Sequence, residues 1–164
     1  MKKFVHHSYH RYEQIDNHLD QCSSLIEMFE QTCSKFSNQV AFSGQGESMT
    51  FAELEVFSRR FAAFLQSKTN LFPGDRIVIQ LPNIMQFPVV FFGCLRAGLI
   101  VVTANTASST REIEHQFTDS GAKAAVILAN HAFKVQQILA NTSIETVIIT
   151  EIGDMLRGLK RVVV

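Results

Sequence analysis

Residues 73–121 restrict the fold more than any other stretch: PGDRIVIQLPNIMQFPVVFFGCLRAGLIVVTANTASSTREIEHQFTDSG. Its two apolar runs, RIVIQL and LIVV, are too continuous to alternate between a wet and a dry face. Each therefore reads as a strand buried on both sides of a parallel sheet. A helix-like segment follows each run, and Pro-Gly or Asn-rich punctuation marks the joints. That rhythm is a βαβα unit.

The flanking chain extends the pattern. Residues 1–21 are polar and His-rich with no helical or alternating period, and read as a polar arm. Ser24 and Glu27 have capping-box spacing, and Leu25, Met28, Phe29 and Phe36 trace one helix face behind them. Val40-Ala41-Phe42 and Ser48-Met49-Thr50, joined through Gly44-Gln45-Gly46, predict a small hairpin. Thr50 and Glu53 open a second helix with Leu54, Phe57, Phe61 and Leu65 at spacings of three and four, which leaves Arg59 and Arg60 toward solvent.

Strand 76–81 follows. Asn83 is placed to cap the next helix, which is apolar nearly all round and hence buried. Pro88 either kinks that helix or marks a later start. Gly98 stops it before strand 99–103. Ser109 and Glu112 cap a further helix that ends at Gly121. Strand 124–129, helix 131–141 and strand 146–150 complete the series, and the pattern breaks off in Val162-Val163-Val164 as if an element were cut short. The expected architecture is α/β: an open, mostly parallel sheet with helices on both faces, preceded by a helix and a small β-hairpin. Residues 1–21 form the arm and 22–164 one incomplete α/β subdomain.

Composition narrows the function classes. Fifteen basic and fifteen acidic residues leave no net field to draw the chain to nucleic acid. Fourteen Phe and no Trp suggest a core packed by apolar rings, with some lining a greasy pocket. Cys22, Cys33 and Cys94 have no C-x-x-C spacing, which argues against a disulfide framework or zinc knuckle and for a reducing cytoplasm. The greasiest window, residues 84–102, contains Arg96, which would cost roughly 2.5–3.5 kcal/mol at a bilayer centre. The window reads as core. Cys33 falls beside Phe29 and reads as a small core hydrophobe rather than a nucleophile.

Candidate chemistry is sparse. His6, His7 and His10 lack a carboxylate or Cys at ligand spacing, and a solvated arm is the commoner meaning of such a cluster. Strand ends are where open α/β sheets bind ligands, and here they are Leu81-Pro82-Asn83, residues 104–110, Ala129-Asn130-His131 and residues 151–154. The loop Asn105-Thr106-Ala107-Ser108-Ser109-Thr110 opens a helix and its amides could hold an anion. No Lys or extra Gly accompanies it in sequence, and a plain Ser cap explains it equally. His115 has Glu112 and Asp119 at helical spacing, as a general base would, but a partly buried, hydrogen-bonded surface histidine is far commoner. Phosphate loops, zinc-protease helices and nucleophile elbows are absent from the string. No catalytic, cofactor-binding or metal-binding residue is assigned.

Read as strings, several segments look familiar. Met49-Thr50-Phe51-Ala52-Glu53-Leu54 resembles the first core motif of the adenylate-forming superfamily, L-[TS]-Y-x-E-L. Leu95-Arg96-Ala97-Gly98-Leu99-Ile100-Val101-Val102 resembles the second, L-K-A-G-x-A-Y-V. GDRIVIQLPN, QFPVVFFGCLRAG, REIEHQ and DSGAKA are similar to bacterial long-chain fatty acid–CoA ligases in particular, as are the opening MKK, SLIEMFEQ and VIITEIGDML. The resemblance is collinear over nearly the whole chain.

It implies the amino-terminal subdomain of the adenylate-forming fold, and a parent enzyme that makes acyl-CoA, AMP and pyrophosphate from a fatty acid, ATP and CoA through an acyl-adenylate. ATP, Mg2+ and coenzyme A would be the parent's cofactors. The Lys-containing phosphate loop, the adenine and ribose motifs and the mobile carboxyl-terminal domain of the family are not in these residues. The stretch alone is therefore expected to be inactive and to bind no nucleotide tightly. A stand-alone binding or dimerisation module derived from such an enzyme is the alternative. The implied location is cytoplasmic, and the greasy substrate makes peripheral contact with the inner face of the membrane reasonable. An underprotected helix around Phe91 and Phe92 would favour a homodimer. One departure stands out: Thr106 occupies the place where the family usually has Pro.

Overall fold

The computed structural model describes residues 22–156. The polar arm expected at 1–21, with His6, His7 and His10, lies outside the described residues, as does the apolar triplet at 162–164. In chain order the elements are α1 (Leu25–Lys35), β1 (Val40–Gly44), β2 (Glu47–Thr50), α2 (Phe51–Lys68), β3 (Arg76–Gln80), α3 (Gln86–Arg96), β4 (Ile100–Thr103), α4 (Thr110–Ser120), β5 (Ala124–Leu128), α5 (Ala132–Ile138) and β6 (Thr146–Thr150).

The strands β4-β3-β5-β6 make one sheet in that order, and every neighbouring pair is parallel. Ile77 sits opposite Val101 on one side and Ala124 on the other. Because side chains alternate along a strand, β3 and β5 each feed two cores. Ile77, Ile79, Ala124 and Val126 pack against α2 and α3 through Leu65, Val90 and Cys94. Val78, Ala125 and Ile127 pack against α4 and α5 through Ile113, Phe117, Val135 and Ile138. The continuous apolar runs in the sequence mean this two-sided burial. A third cluster lies outside the first: Phe29, Cys33, Met49, Leu54, Met85 and Val89 join α1 and the hairpin to α2 and α3. No helix among the described residues is long and apolar enough to cross a membrane.

Local chemistry accounts for the boundaries. Gln45 and Gly46, at φ 55° and 74°, make the two-residue turn of the hairpin. Thr50 and Ser109 each accept the N3 backbone N–H, while Glu53 and Glu112 reach back to the cap's own N–H. At α1 the box is altered: Ser24 accepts from Glu27, but the Glu27 carboxylate takes the N–H and hydroxyl of Ser23, at 2.7 and 2.6 Å.

Three expectations need correcting. Asn83 does not cap α3; the helix starts at Gln86 with Met85 as an N-cap that makes no side-chain bond. That start puts Pro88 in the first turn, where a backbone N–H has no intrahelical partner to lose. The segment 131–141 is not one helix, because α5 covers only Ala132–Ile138 and tightens into 3-10 turns at both ends. The premise of a bare α3 also fails. None of its residues is exposed, Phe92 stacks on Phe29 of α1 at 3.7 Å between centroids, and Phe91 meets Phe92 edge-on.

Glycines set two close approaches. At Gly93 an added Cβ would lie 2.8 Å from the Phe61 ring and 3.0 Å from the Ser58 carbonyl, so α3 and α2 touch through the missing side chain. Gly98, at φ 77°, ends α3 in a Schellman motif: Gly98 N–H donates to Leu95 O and Leu99 N–H to Cys94 O. A Cβ there would meet Pro73 at 3.0 Å. Gly98→Val should therefore lower unfolding free energy by about 2 kcal/mol or more in urea titration, since a left-handed L-residue alone costs ~1–2 kcal/mol. Gly98→Asn should lose less; equal losses would show that backbone strain is not the cause.

Candidate functional site

In a sheet ordered β4-β3-β5-β6 the connections diverge on either side of β3 and β5, so the crevice beyond their carboxyl ends is the topological switch point. The chain fills it with its own residues. Leu81 and Leu128 are buried there, and Ile84 and Ile152 belong to the same cluster. Gln86 straps across from the start of α3: its Nε2 donates to the carbonyls of Glu151, at 2.7 Å, and Ile152, at 3.4 Å, beyond β6. The Gln86 Oε1 is buried without a partner.

The hydroxyl-rich loop after β4 is likewise self-satisfied. Asn105 Oδ1 accepts the Ala107 N–H at 2.9 Å, Asn105 O accepts the Ser108 N–H, and Glu112 takes the Ser109 N–H at 2.7 Å. The fully buried Gln80 holds the loop down by donating to Asn105 O at 3.2 Å. The anion at this helix start is the chain's own Glu112, whose carboxyl the Ser109 backbone N–H holds below the usual range. Tertiary structure does bring a lysine here, which the sequence did not indicate: Lys134 Nζ lies 3.5 Å from Ser108 O.

The other candidates stay apart from one another. His115 is exposed rather than partly buried, and no hydrogen bond joins it to Glu112 or Asp119 among the described residues. His131 is half-buried, its Nδ1 has no partner, and burial pushes its pKa down, toward the neutral form. Burial pushes the Cys33 and Cys94 thiols up to about 11 and about 12, so neither is a thiolate nucleophile near neutrality. Both are core atoms. Among the described residues no group of three or more His, Cys, Asp or Glu is placed to hold a metal ion.

One polar constellation escaped the sequence reading. Arg96 ends the most apolar helix, and its side chain is only 9% exposed. Its Nη1 pairs with Glu30 of α1, its Nη2 with Glu55 of α2, and its Nε donates to Ser58 at 3.3 Å. The guanidinium also lies 5.4 Å from the centroid of Phe29. Arg59, read as solvent-exposed, is indeed mostly so, and extends the group through Glu55. The signal was in the string: a cation at the end of an apolar helix has to find an anion on whatever covers it. Arg96→Met keeps the stem but strands Glu55, and should cost roughly 1–3 kcal/mol, reduced from the fully buried case because Glu55 retains some water. Glu30→Gln, at a half-exposed carboxylate, should cost under about 1 kcal/mol. An Arg96/Glu55 double-mutant cycle with no coupling would refute this arrangement.

Thr106 occupies the second position of the turn Asn105–Ser108, and its N–H makes no hydrogen bond among the described residues. Proline is favoured at that position. Thr106→Pro should accordingly leave the loop intact and raise stability by about 0.4–1 kcal/mol in thermal melts; a loss would show that the departure from the family pattern reshapes the loop.

Comparison with known proteins gives one consistent result. Residues 29–161 match the family model described as AMP-binding enzyme. The chain is 46% identical over 145 residues to a long-chain-fatty-acid–CoA ligase of Escherichia coli O6:H1, covering 88% of this chain and 26% of that protein. It is 29% identical over 133 residues to a long-chain-fatty-acid–CoA ligase of Bacillus subtilis, covering 81% of this chain and 24% of that protein. Among solved structures, a long-chain-fatty-acid-CoA ligase from Archaeoglobus fulgidus superposes with a TM-score of 0.72 at 22% identity, over 85% of this chain and 29% of that one. A benzoate CoA ligase from Burkholderia xenovorans gives 0.70 at 26% identity, over 76% and 25% respectively. The chain spans about a quarter of the length of these relatives. The motifs, the parallel sheet and these matches agree: the chain belongs to the AMP-binding enzyme family.

Proposed function

We propose that this chain is the amino-terminal α/β part of a long-chain fatty acid–CoA ligase, an acid–thiol ligase that joins a fatty acid to coenzyme A at the expense of ATP. The observation that carries this reading is the 46% identity to the Escherichia coli ligase across 88% of the chain. The reaction passes through an acyl-adenylate and releases AMP and pyrophosphate. Within it, these residues are scaffold. Gln86, Ile84 and Ile152 fill the strand-end crevice and Glu112 occupies the helix start after β4, which supports a reading in which ATP, Mg2+ and coenzyme A are held by other parts of the enzyme. Three free thiols, two of them buried, support a reducing cytoplasm, and an acyl substrate supports contact with the inner face of the membrane.

Purified chain supplied with Mg-ATP, a long-chain fatty acid and coenzyme A should release no pyrophosphate and form no acyl-CoA. Grafted in place of the matching quarter of the Escherichia coli ligase, it should support acyl-CoA formation. Turnover by the isolated chain, or a folded but inactive graft, would overturn the assignment.

A further inference from the structure

Strand β6 forms one edge of the four-stranded sheet. Thr146 N–H donates to Lys123 O at 3.2 Å, and Thr146, Ile148 and Thr150 lie opposite Ala124, Val126 and Leu128. In a parallel ladder alternate residues address the same neighbour, so these three bond β5 while Val147 and Ile149 turn their N–H and C=O outward. No hydrogen bond reaches those outward groups among the described residues. The Ile149 side chain is 54% exposed, and Thr146–Thr150 holds no charge and no Pro. An edge left unguarded in this way is a template for a further strand.

The string says which strand fits it. Ile144-Glu145-Thr146-Val147-Ile148-Ile149-Thr150-Glu151-Ile152 reads almost the same in both directions about Ile148, differing only in Val147 against Ile149. We propose that β6 pairs antiparallel with β6 of a second copy of this chain, centred on Ile148. A two-fold axis perpendicular to the strand reverses its direction, so such a contact is closed and isologous. In that register Val147 exchanges both outward hydrogen bonds with Ile149 of the second copy, Thr146 faces Thr150, and Ile148 faces itself. Thr–Thr and β-branched pairs of this kind stabilise a sheet. Glu151 N–H is already taken by Asp154 Oδ2 at 2.8 Å, which ends the pairing there. The flanks oppose it: exposed Glu145 faces exposed Glu151, and like charges directly opposite are destabilising. The other edge, Ile100–Thr103, has no such symmetry, with Ile at one end and Thr at the other. The inference does not rest on the ligase reading.

Sedimentation equilibrium of the 164-residue chain, from micromolar to millimolar concentration, should show a monomer in exchange with a dimer. Added sodium chloride and Glu145→Gln should each tighten the dimer several-fold, because both relieve the opposition of Glu145 and Glu151. Ile149→Pro removes an outward N–H without taking a bond from β5, and should weaken the dimer about tenfold or more. Ile149→Thr keeps that N–H and should weaken it far less. In a Cys22→Ser background, Ile148→Cys should oxidise to a covalent dimer, since non-hydrogen-bonded partners lie about 4.5 Å apart at Cα, within disulfide range. Thr150→Cys, facing Thr146 instead, should not. A chain that stays monomeric at millimolar concentration would overturn the proposal. So would a dimer indifferent to Glu145→Gln, equal losses from the two Ile149 variants, or growth past the dimer, which would join β6 to the Ile100–Thr103 edge of the next copy. Melting curves establish that each variant is folded; should Ile149→Pro melt early, Glu145→Gln and the Ile148→Cys and Thr150→Cys pair decide the question.

Discussion

Two central strands that must be dry on both faces govern this structure. Ile77, Val78 and Ile79 of β3 and Ala124, Ala125 and Ile127 of β5 are fully buried. A strand in that position cannot be served by one layer of helix. It needs α2 and α3 on one side and α4 and α5 on the other, and the parallel crossovers supply them. The small residues Ala124 and Ala125 allow the helices close to the sheet at its centre. The bulkier Ile77, Val78 and Ile79 fill the space along β3, and Val126 and Ile127 along the rest of β5.

Burying α3 creates the next demand. That helix touches the sheet on one side and cannot leave its other side wet, so α1 and the hairpin form a further layer over it. Apolar contact supplies most of the energy, but it is not directional. Arg96 adds direction: one guanidinium contacts α1 through Glu30 and Phe29 and α2 through Glu55 and Ser58. Such a cluster is a weak source of net stability, because desolvation offsets most of the attraction. Its consequence is orientation, since a shift of α1 along α3 would take Glu30 and Phe29 away from the guanidinium, and a shift of α2 would take away Glu55 and Ser58.

The contrast between fold and chemistry follows from the same packing. Strand ends are the usual sites in open α/β sheets, yet Gln86 and Ile152 close one of them and the Asn105 turn closes another. The β4 loop looked available because its hydroxyls and helix start were legible, whereas the partners of its amides were not. Asn105, Glu112 and Gln80 use those groups internally. The resemblance had already put the phosphate-handling motifs outside this stretch, which agrees with a chain that spans a quarter of its relatives.

Periodicity, capping boxes and glycine stops are local, and they are why the order of elements, the four parallel strands and the caps at Thr50 and Ser109 were legible in the sequence. Each depends on residues within about one turn of one another. The start of α3 lay between two local signals, Asn83 and Pro88, and the proline prevailed because its ring and missing N–H are tolerated only in a first turn. Family membership was legible for the same reason, as ordered short strings. What only the tertiary structure decided are the long-range pairings: Arg96 with Glu30 and Glu55, Gln86 with Glu151, and Lys134 beside Ser108. No spacing rule joins residues dozens of positions apart. They meet because burying both faces of β3 and β5 brings their helices and loops together.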